Sequence, residues 1–328
     1  MRARVQKSGR VYYYLDTGGK PRREIPLGPD YVVAVRKWSE LSYEKPKVVT
    51  FEDVAKKYET DALPGLAKST QYTQRSDIKK LREFFCNPTP APLDQIRPMH
   101  VAQLLQWKKD QPVTANRLKR VFTTMWNYAA AKGYTDLRNP SEGIKGLKEG
   151  KRTYDVSEAV YRAIWTAADA TLRDAMDLAY LTGQRPGDTV AMTEHDIKDG
   201  FLLVSQNKTG AKVRISIEGE LASLLDRIAQ RKRKTKVWHS ALVVDERGMG
   251  ISLKTLQRRF TKARDEAQKA HPELDVAGMW LYDLRSKAAS DTSEERGIQA
   301  AADLLGHTSV RTTQQHYDRR GKAVKPVR

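Results

Sequence analysis

Cysteine is almost missing from this chain: of 328 residues only Cys86, in REFFCNP, carries a thiol. An internal disulfide and any metal cluster held by thiolates alone are thereby excluded, and Cys86 reads as a small core residue. No run approaches the roughly 20 apolar residues that cross a bilayer, and the N-terminus lacks the apolar stretch of a signal peptide. With 39% hydrophobic and 30% charged residues, the expectation is a cytoplasmic globular protein with no membrane partner. The six histidines are scattered without zinc spacing, no acidic triad offers magnesium ligands, and no glycine-rich loop offers a phosphate cradle. No metal and no cofactor are expected.

Acid is the other shortage. Asp and Glu number 40 against 59 Lys and Arg, a formal net charge of +19. Such a field attracts polyanions, nucleic acid foremost. The surplus is spread along the chain: 11 basic against 5 acidic residues over 1–48, 17 against 11 over 49–149, and 31 against 24 beyond. Several modules touching one long polyanion fit that pattern better than a single basic tail.

The length allows two or three domains. Residues 1–45 read as a small β unit, with an aromatic strand Val11–Leu15, a Gly18-Gly19 turn and a basic return strand ending near Leu27. Lys20, Arg22 and Arg23 are its candidate DNA-facing side chains. Residues 48–138 read as a bundle of about four helices, the first capped by Thr50 with Asp53 near its start and the last ending at Gly133. Arg117, Lys119 and Arg120 in the last helix are candidate phosphate contacts. The glycine-rich stretch 139–152 is a linker. Beyond it, 150–328 reads as a mixed domain: helices near 157–168 and 171–181, a hairpin of FLLVSQ and KVRISI around the turn NKTG, a helix from near Glu218, a short strand ALVVDE, and a long basic helix. On that helix Lys254, Arg258 and Lys262 share a face, another candidate DNA surface. The fold class is therefore multidomain and mainly α with small β elements.

Five residues of the last domain follow in a telling order: Arg185 in LTGQRPGD, Lys208 in the turn QNKTGAK, Arg285 in LYDLRSK, His307 closing ADLLGH, and Tyr317 in QQHYDRR. Their order and spacing resemble the catalytic domain of the tyrosine recombinase or phage integrase family. The resemblance covers residues 150–328 closely and the upstream part more loosely, where family members carry a helical core-site-binding domain and often a small β domain for arm sites. It implies a site-specific DNA recombinase that cuts and rejoins attachment sites through a 3′-phosphotyrosyl link, without cofactor. It further implies a homo-tetramer on two duplexes, with a host DNA-bending protein and an excision factor as possible helpers.

The chemistry accounts for the residue types. Two guanidiniums, Arg185 and Arg285, can fork onto non-bridging phosphate oxygens and neutralise charge growing in the transition state. Tyr317 is then the nucleophile. By the resemblance, Lys208 protonates the departing 5′ oxygen, His307 donates a hydrogen bond to the phosphate, and Asp188 braces Arg185. One position departs from the pattern: Tyr282 stands where the family box usually begins with His. With an ordinary pKa of about 10, tyrosine donates hydrogen bonds but is a poor base near neutrality, which leaves open what accepts the Tyr317 proton. Two rivals keep part of the reading: a type IB-like topoisomerase that relaxes supercoils without exchange, and a DNA-binding regulator whose catalysis has lapsed.

Overall fold

The computed structural model describes residues 1–19, 21–42, 48–317 and 319–320. The chain divides into two compact units, Met1–Gly150 and Lys151–Arg328.

The first unit begins with three antiparallel strands in sequence order, β1 (Arg2–Val5), β2 (Val11–Asp16) and β3 (Glu24–Gly28). Helix α1 (Tyr31–Ser42) follows, its Tyr31 ring set edge-on to Tyr13 at 5.4 Å. The reading of 1–45 as a β unit is thus corrected: the segment is β with a closing helix. YVVAVRKW is rich in β-branched residues, and only Ala34 of the helix is buried. Asp30 Oδ1 accepts the Val33 amide at 2.9 Å and starts the helix. β1 is also an addition, a strand exposed at all four positions and held by its pairing with β2. Lys20 lies outside the described residues.

Next comes a bundle of α2 (Phe51–Asp61), α3 (Lys68–Phe85), α4 (Pro98–Trp107) and α5 (Pro112–Ala131). Thr50 and Asp53 form a reciprocal capping box at α2. Phe51, Phe85, Phe122 and Trp126 stack through the core, among buried Leu81, Leu104 and Leu118.

The second unit holds α6 (Glu158–Ala167), α7 (Ala170–Thr182), α8 (Pro186–Ala191), the antiparallel sheet β4 (Ile197–Lys198), β5 (Phe201–Ser205) and β6 (Lys212–Ser216), then α9 (Gly219–Arg233), α10 (Leu253–Ala270), α11 (Asp283–Arg296), α12 (Ile298–Leu305) and α13 (Val310–His316). One apolar core, including Ile164, Leu172, Met176, Leu202, Phe260 and Leu284, joins these elements. ALVVDE is not a strand. It makes two isolated bridges, Ala241 with Thr193 and Val244 with Gly250, and its run of apolar residues reflects burial at 241–244 rather than a ladder. The helices and small sheets together form a mainly α, multidomain fold.

Candidate active site

Arg285 is fully buried on α11, a costly place for a charge unless polar partners surround it. The fold supplies them from two helix ends. Its Nη1 donates to the Gly183 carbonyl at 2.8 Å and its Nη2 to the Leu305 carbonyl at 2.7 Å. Gly183 caps α7 and Leu305 ends α12, so the negative poles of both helices converge on the guanidinium. Both helices leave through left-handed glycines, Gly183 and Gly306. A Cβ at Gly306 would press on Val213 Cγ2 at 2.8 Å and Gln206 Nε2 at 3.0 Å, so the turn must stay bare. Burial, and then the like charge of Arg185, push the Arg285 pKa below its usual range.

Arg185 caps α8, where Pro186 in the first turn fixes the direction of entry. Its Nη1 donates to Gln206 Oε1 at 2.7 Å and lies 3.8 Å from Asp188 Oδ2. Asp188 Oδ1 accepts the Asn207 amide at 3.0 Å, which ties the β5–β6 hairpin to the same arginine. Lys208 stands exposed in that hairpin turn. It lines, with Arg185, Asp188, Arg264, Trp280 and Tyr282, a groove of about 720 Å³.

Tyr317 follows α13 and is only 9% exposed. Its Oη lies 2.7 Å from Tyr282 Oη, and its ring lies 5.0 Å from that of His307 and 5.3 Å from the Arg285 guanidinium carbon. Burial raises its pKa, but the Tyr282 hydrogen bond with the charges of Arg285 and Arg185 outweighs this and the net direction is downward. Tyr282 goes the other way, pushed up to about 12 by burial and by its bond with Tyr317. The opposite directions favour Tyr282 as the donor of the pair. The residue at the departed position thus contacts the Tyr317 hydroxyl.

His307 is held at a pKa of about 4 by burial and by Arg285, Arg185 and His316. Its Nε2 lies 3.1 Å from Arg285 Nη2 and its Nδ1 2.8 Å from Thr313 Oγ1. Arginine can only donate, so Nε2 accepts and Nδ1 carries the proton. In this arrangement His307 orients Arg285; donation to phosphate from Nε2 requires that contact to break and the proton to move to Nε2, with Nδ1 then accepting from Thr313 Oγ1.

The outlying candidates divide. Arg117 forks onto buried Asp77 at 2.7 and 2.9 Å, and Lys119 Nζ donates to the Ile144 carbonyl. Both have partners within the first unit and remain partly exposed; Arg120 is exposed. Arg22 pairs with Asp16 at 2.9 Å, and Arg23 is exposed beside it. Lys254, Arg258 and Lys262 form an exposed stripe on α10, with Lys262 3.9 Å from Glu266. Among the described residues no group of three or more His, Cys, Asp or Glu side chains is arranged for a metal, and no helix is long and apolar enough to cross a membrane.

The model of the phage integrase family matches residues 152–323, more than half of the chain. The chain belongs to the phage integrase family. The integrase of Enterobacteria phage 434 is 28% identical over 94% of this chain and 92% of its own. A lambda integrase dimer bound to a COC′ core site and a lambda integrase tetramer bound to a Holliday junction each superpose with a TM-score of 0.72 and 25% identity, covering 99% of this chain and 97% of theirs. Membership makes the chain a tyrosine-type site-specific DNA recombinase and does not favour the topoisomerase or lapsed-regulator readings.

Four residues of this site do not show in the order and spacing of the reactive ones. Gln184 and Gln206 link the arginines. Asp283 and Arg319 tie down the segment that carries Tyr317: Asp283, fully buried, accepts from Arg152 Nε at 2.8 Å, from Arg319 Nη1 at 2.9 Å and from the Trp280 amide at 2.7 Å. Gln206 did carry a signal. It continues the inward alternation of Leu202 and Val204, where a polar residue needs partners.

Proposed function

We propose that this phage integrase cleaves duplex attachment-site DNA with Tyr317 as nucleophile and Arg185 and Arg285 as the phosphate clamp. The observation that carries the reading is the Tyr317 phenol, buried against Arg285 with its pKa drawn down. Tyr317 Oη attacks phosphorus, the bond to the 5′ oxygen breaks, and a 3′-phosphotyrosyl link and a 5′-hydroxyl result. The two guanidiniums take up the charge of the five-coordinate phosphorus. Lys208, exposed in the same groove, gives the departing oxygen its proton, and Asp188 holds Arg185 and the hairpin in register. Tyr282 donates to the Tyr317 oxygen as it ionises, so a weak base, water or a phosphate oxygen, suffices to accept the proton. Attack by the 5′-hydroxyl of a partner strand reverses the step and rejoins DNA without an external energy source.

The same proposal includes a homo-tetramer on two duplexes, supported by the lambda integrase tetramer on a Holliday junction. It assigns arm-site binding to residues 1–45, core-site binding to 48–138 and catalysis to 150–328. It places the protein in the cytoplasm of a bacterial cell. A host DNA-bending protein and an excision factor enter on the family resemblance. The test is a nicked suicide substrate bearing the attachment core, read on a denaturing gel. The wild-type chain should form a covalent adduct, while Tyr317→Phe should bind DNA equally and form none. An undiminished adduct from that variant would remove Tyr317 from the role.

A further inference from the structure

Two glutamines, neither with an assigned role, lie between the arginines. Gln184 is 0% and Gln206 1% exposed. They form a chain whose direction is fixed, because arginine only donates. Arg185 Nη1 donates to Gln206 Oε1 at 2.7 Å, and Gln206 Nε2 donates to Gln184 Oε1 at 2.8 Å. Arg285 Nη1 meets that same Gln184 oxygen at 3.4 Å. The other amide protons are spent on helix ends: Gln206 Nε2 on the Leu305 carbonyl at 2.8 Å, and Gln184 Nε2 on the Thr182 and Leu304 carbonyls at 2.8 and 2.9 Å. Thr209 Oγ1, one residue beyond Lys208, donates to Gln206 Oε1 at 2.9 Å. Both amides therefore have every hydrogen satisfied, and each oxygen receives two donors.

Such a fully satisfied buried network is rigid, since no member can turn without stranding another. Its members tie the ends of α7 and α12, which hold the Arg285 guanidinium, to the start of α8, which carries Arg185, and to the hairpin, which carries Lys208. Neutral amides also suit this spot better than a carboxylate. They accept from two like-charged guanidiniums and hold them near each other without cancelling the charge that a phosphate must meet. Among the described residues, the buried Nε atoms of Arg185 and Arg285 have no partner. The amides and helix carbonyls engage both Nη atoms of Arg285 and the Nη1 of Arg185, and the two Nε–H groups are not used by the network.

We infer that Gln184 and Gln206 are positioning residues for strand cleavage: they set the separation and orientation of Arg185 and Arg285 and keep both guanidiniums fully charged toward the scissile phosphate. The inference rests on the reading of those arginines as the phosphate clamp. Gln206→Glu keeps the size and the acceptor for Arg185 but loses both donors and neutralises the arginine. Gln206→Leu loses donors and acceptor together.

The experiment measures single-turnover cleavage by the full chain on two suicide substrates, one with the natural scissile phosphate and one with a methylphosphonate there. The methylphosphonate lacks one charged oxygen and so needs less of the clamp. Both variants should bind core DNA and melt as the wild type does, yet cleave the phosphate about 10- to 100-fold more slowly, the loss expected for a charge-assisted hydrogen bond. On the methylphosphonate the deficit should shrink to a few-fold. Wild-type rates on phosphate would overturn the inference, as would equal deficits on both linkages, which mark a merely structural role. If the leucine variant unfolds, the near-isosteric glutamate variant decides. A wild-type chain that forms no adduct on either substrate would instead remove the reading of Tyr317 and the clamp, and this inference with it.

Discussion

Tyr282→Phe deletes one oxygen, 2.7 Å from the oxygen proposed to attack phosphorus. That oxygen helps hold the Tyr317 pKa below its ordinary position, together with Arg285 and Arg185 and against the opposing effect of burial. A hydrogen bond to a charged acceptor contributes about 1.5–3 kcal/mol. Tyr282 is 39% exposed, so water replaces part of the loss and the lower end, about 1.5 kcal/mol, applies. Losing the hydrogen bond moves the Tyr317 pKa back upward. The sign follows directly: the lost donor favoured the phenolate, so its removal demands higher pH for the same ionised fraction. Single-turnover cleavage of the suicide substrate, followed against pH, should rise on a curve displaced to higher pH. At a fixed pH on the rising limb the variant should be about tenfold slower, with the plateau nearly reached at high pH and adduct still formed. A profile superimposable on that of the wild type would refute the assignment of Tyr282 as donor to the nucleophile.

Asp283→Asn leaves Arg152 and Arg319 without their buried counter-charge and should cost about 3–5 kcal/mol, the usual loss on breaking a buried pair. Denaturant titration of the full chain checks this, and an unchanged midpoint would show the pairs to be dispensable. Charge reversal of Lys254, Arg258 and Lys262 to Glu should abolish core-site binding in gel-shift assays while leaving the helical circular dichroism intact. In single reversals the log–log salt slope should shallow by about 0.9 for each phosphate no longer neutralised. Retained binding by the triple variant would mark the stripe as a solvated face.

Legibility followed how local each cause was. The bundle helices were visible in the spacing of Ile78, Leu81 and Phe85 and in the Thr50 capping signal, because those effects span a turn or two. The candidate residues that the structure brings together, Arg185, Arg285, His307 and Tyr317, were visible by their order along the chain. What joins them was not, because it is made by side chains far apart in sequence. Gln184 meets Leu304 across 120 residues, and Arg152 meets Asp283 across 131. The partner of Arg117 was hidden for the same reason: buried Asp77 lies 40 residues earlier. α11 offered no apolar stripe at all, since Asp283, Arg285, Ser286, Lys287 and Ser290 are buried beside its alanines. α1 was not read from the sequence, and in the structure its start is marked by the side chain of Asp30 on the Val33 amide.

The most direct test of the account is the identity of the residue that becomes attached to DNA. The wild-type chain should be trapped on a suicide substrate, digested with protease and nuclease, and its nucleotide-bearing peptide sequenced by mass spectrometry. The account predicts the remnant on Tyr317, within the peptide that follows Arg311. A remnant on Tyr282, whose hydroxyl touches that of Tyr317, would contradict it and reverse the roles of the two tyrosines.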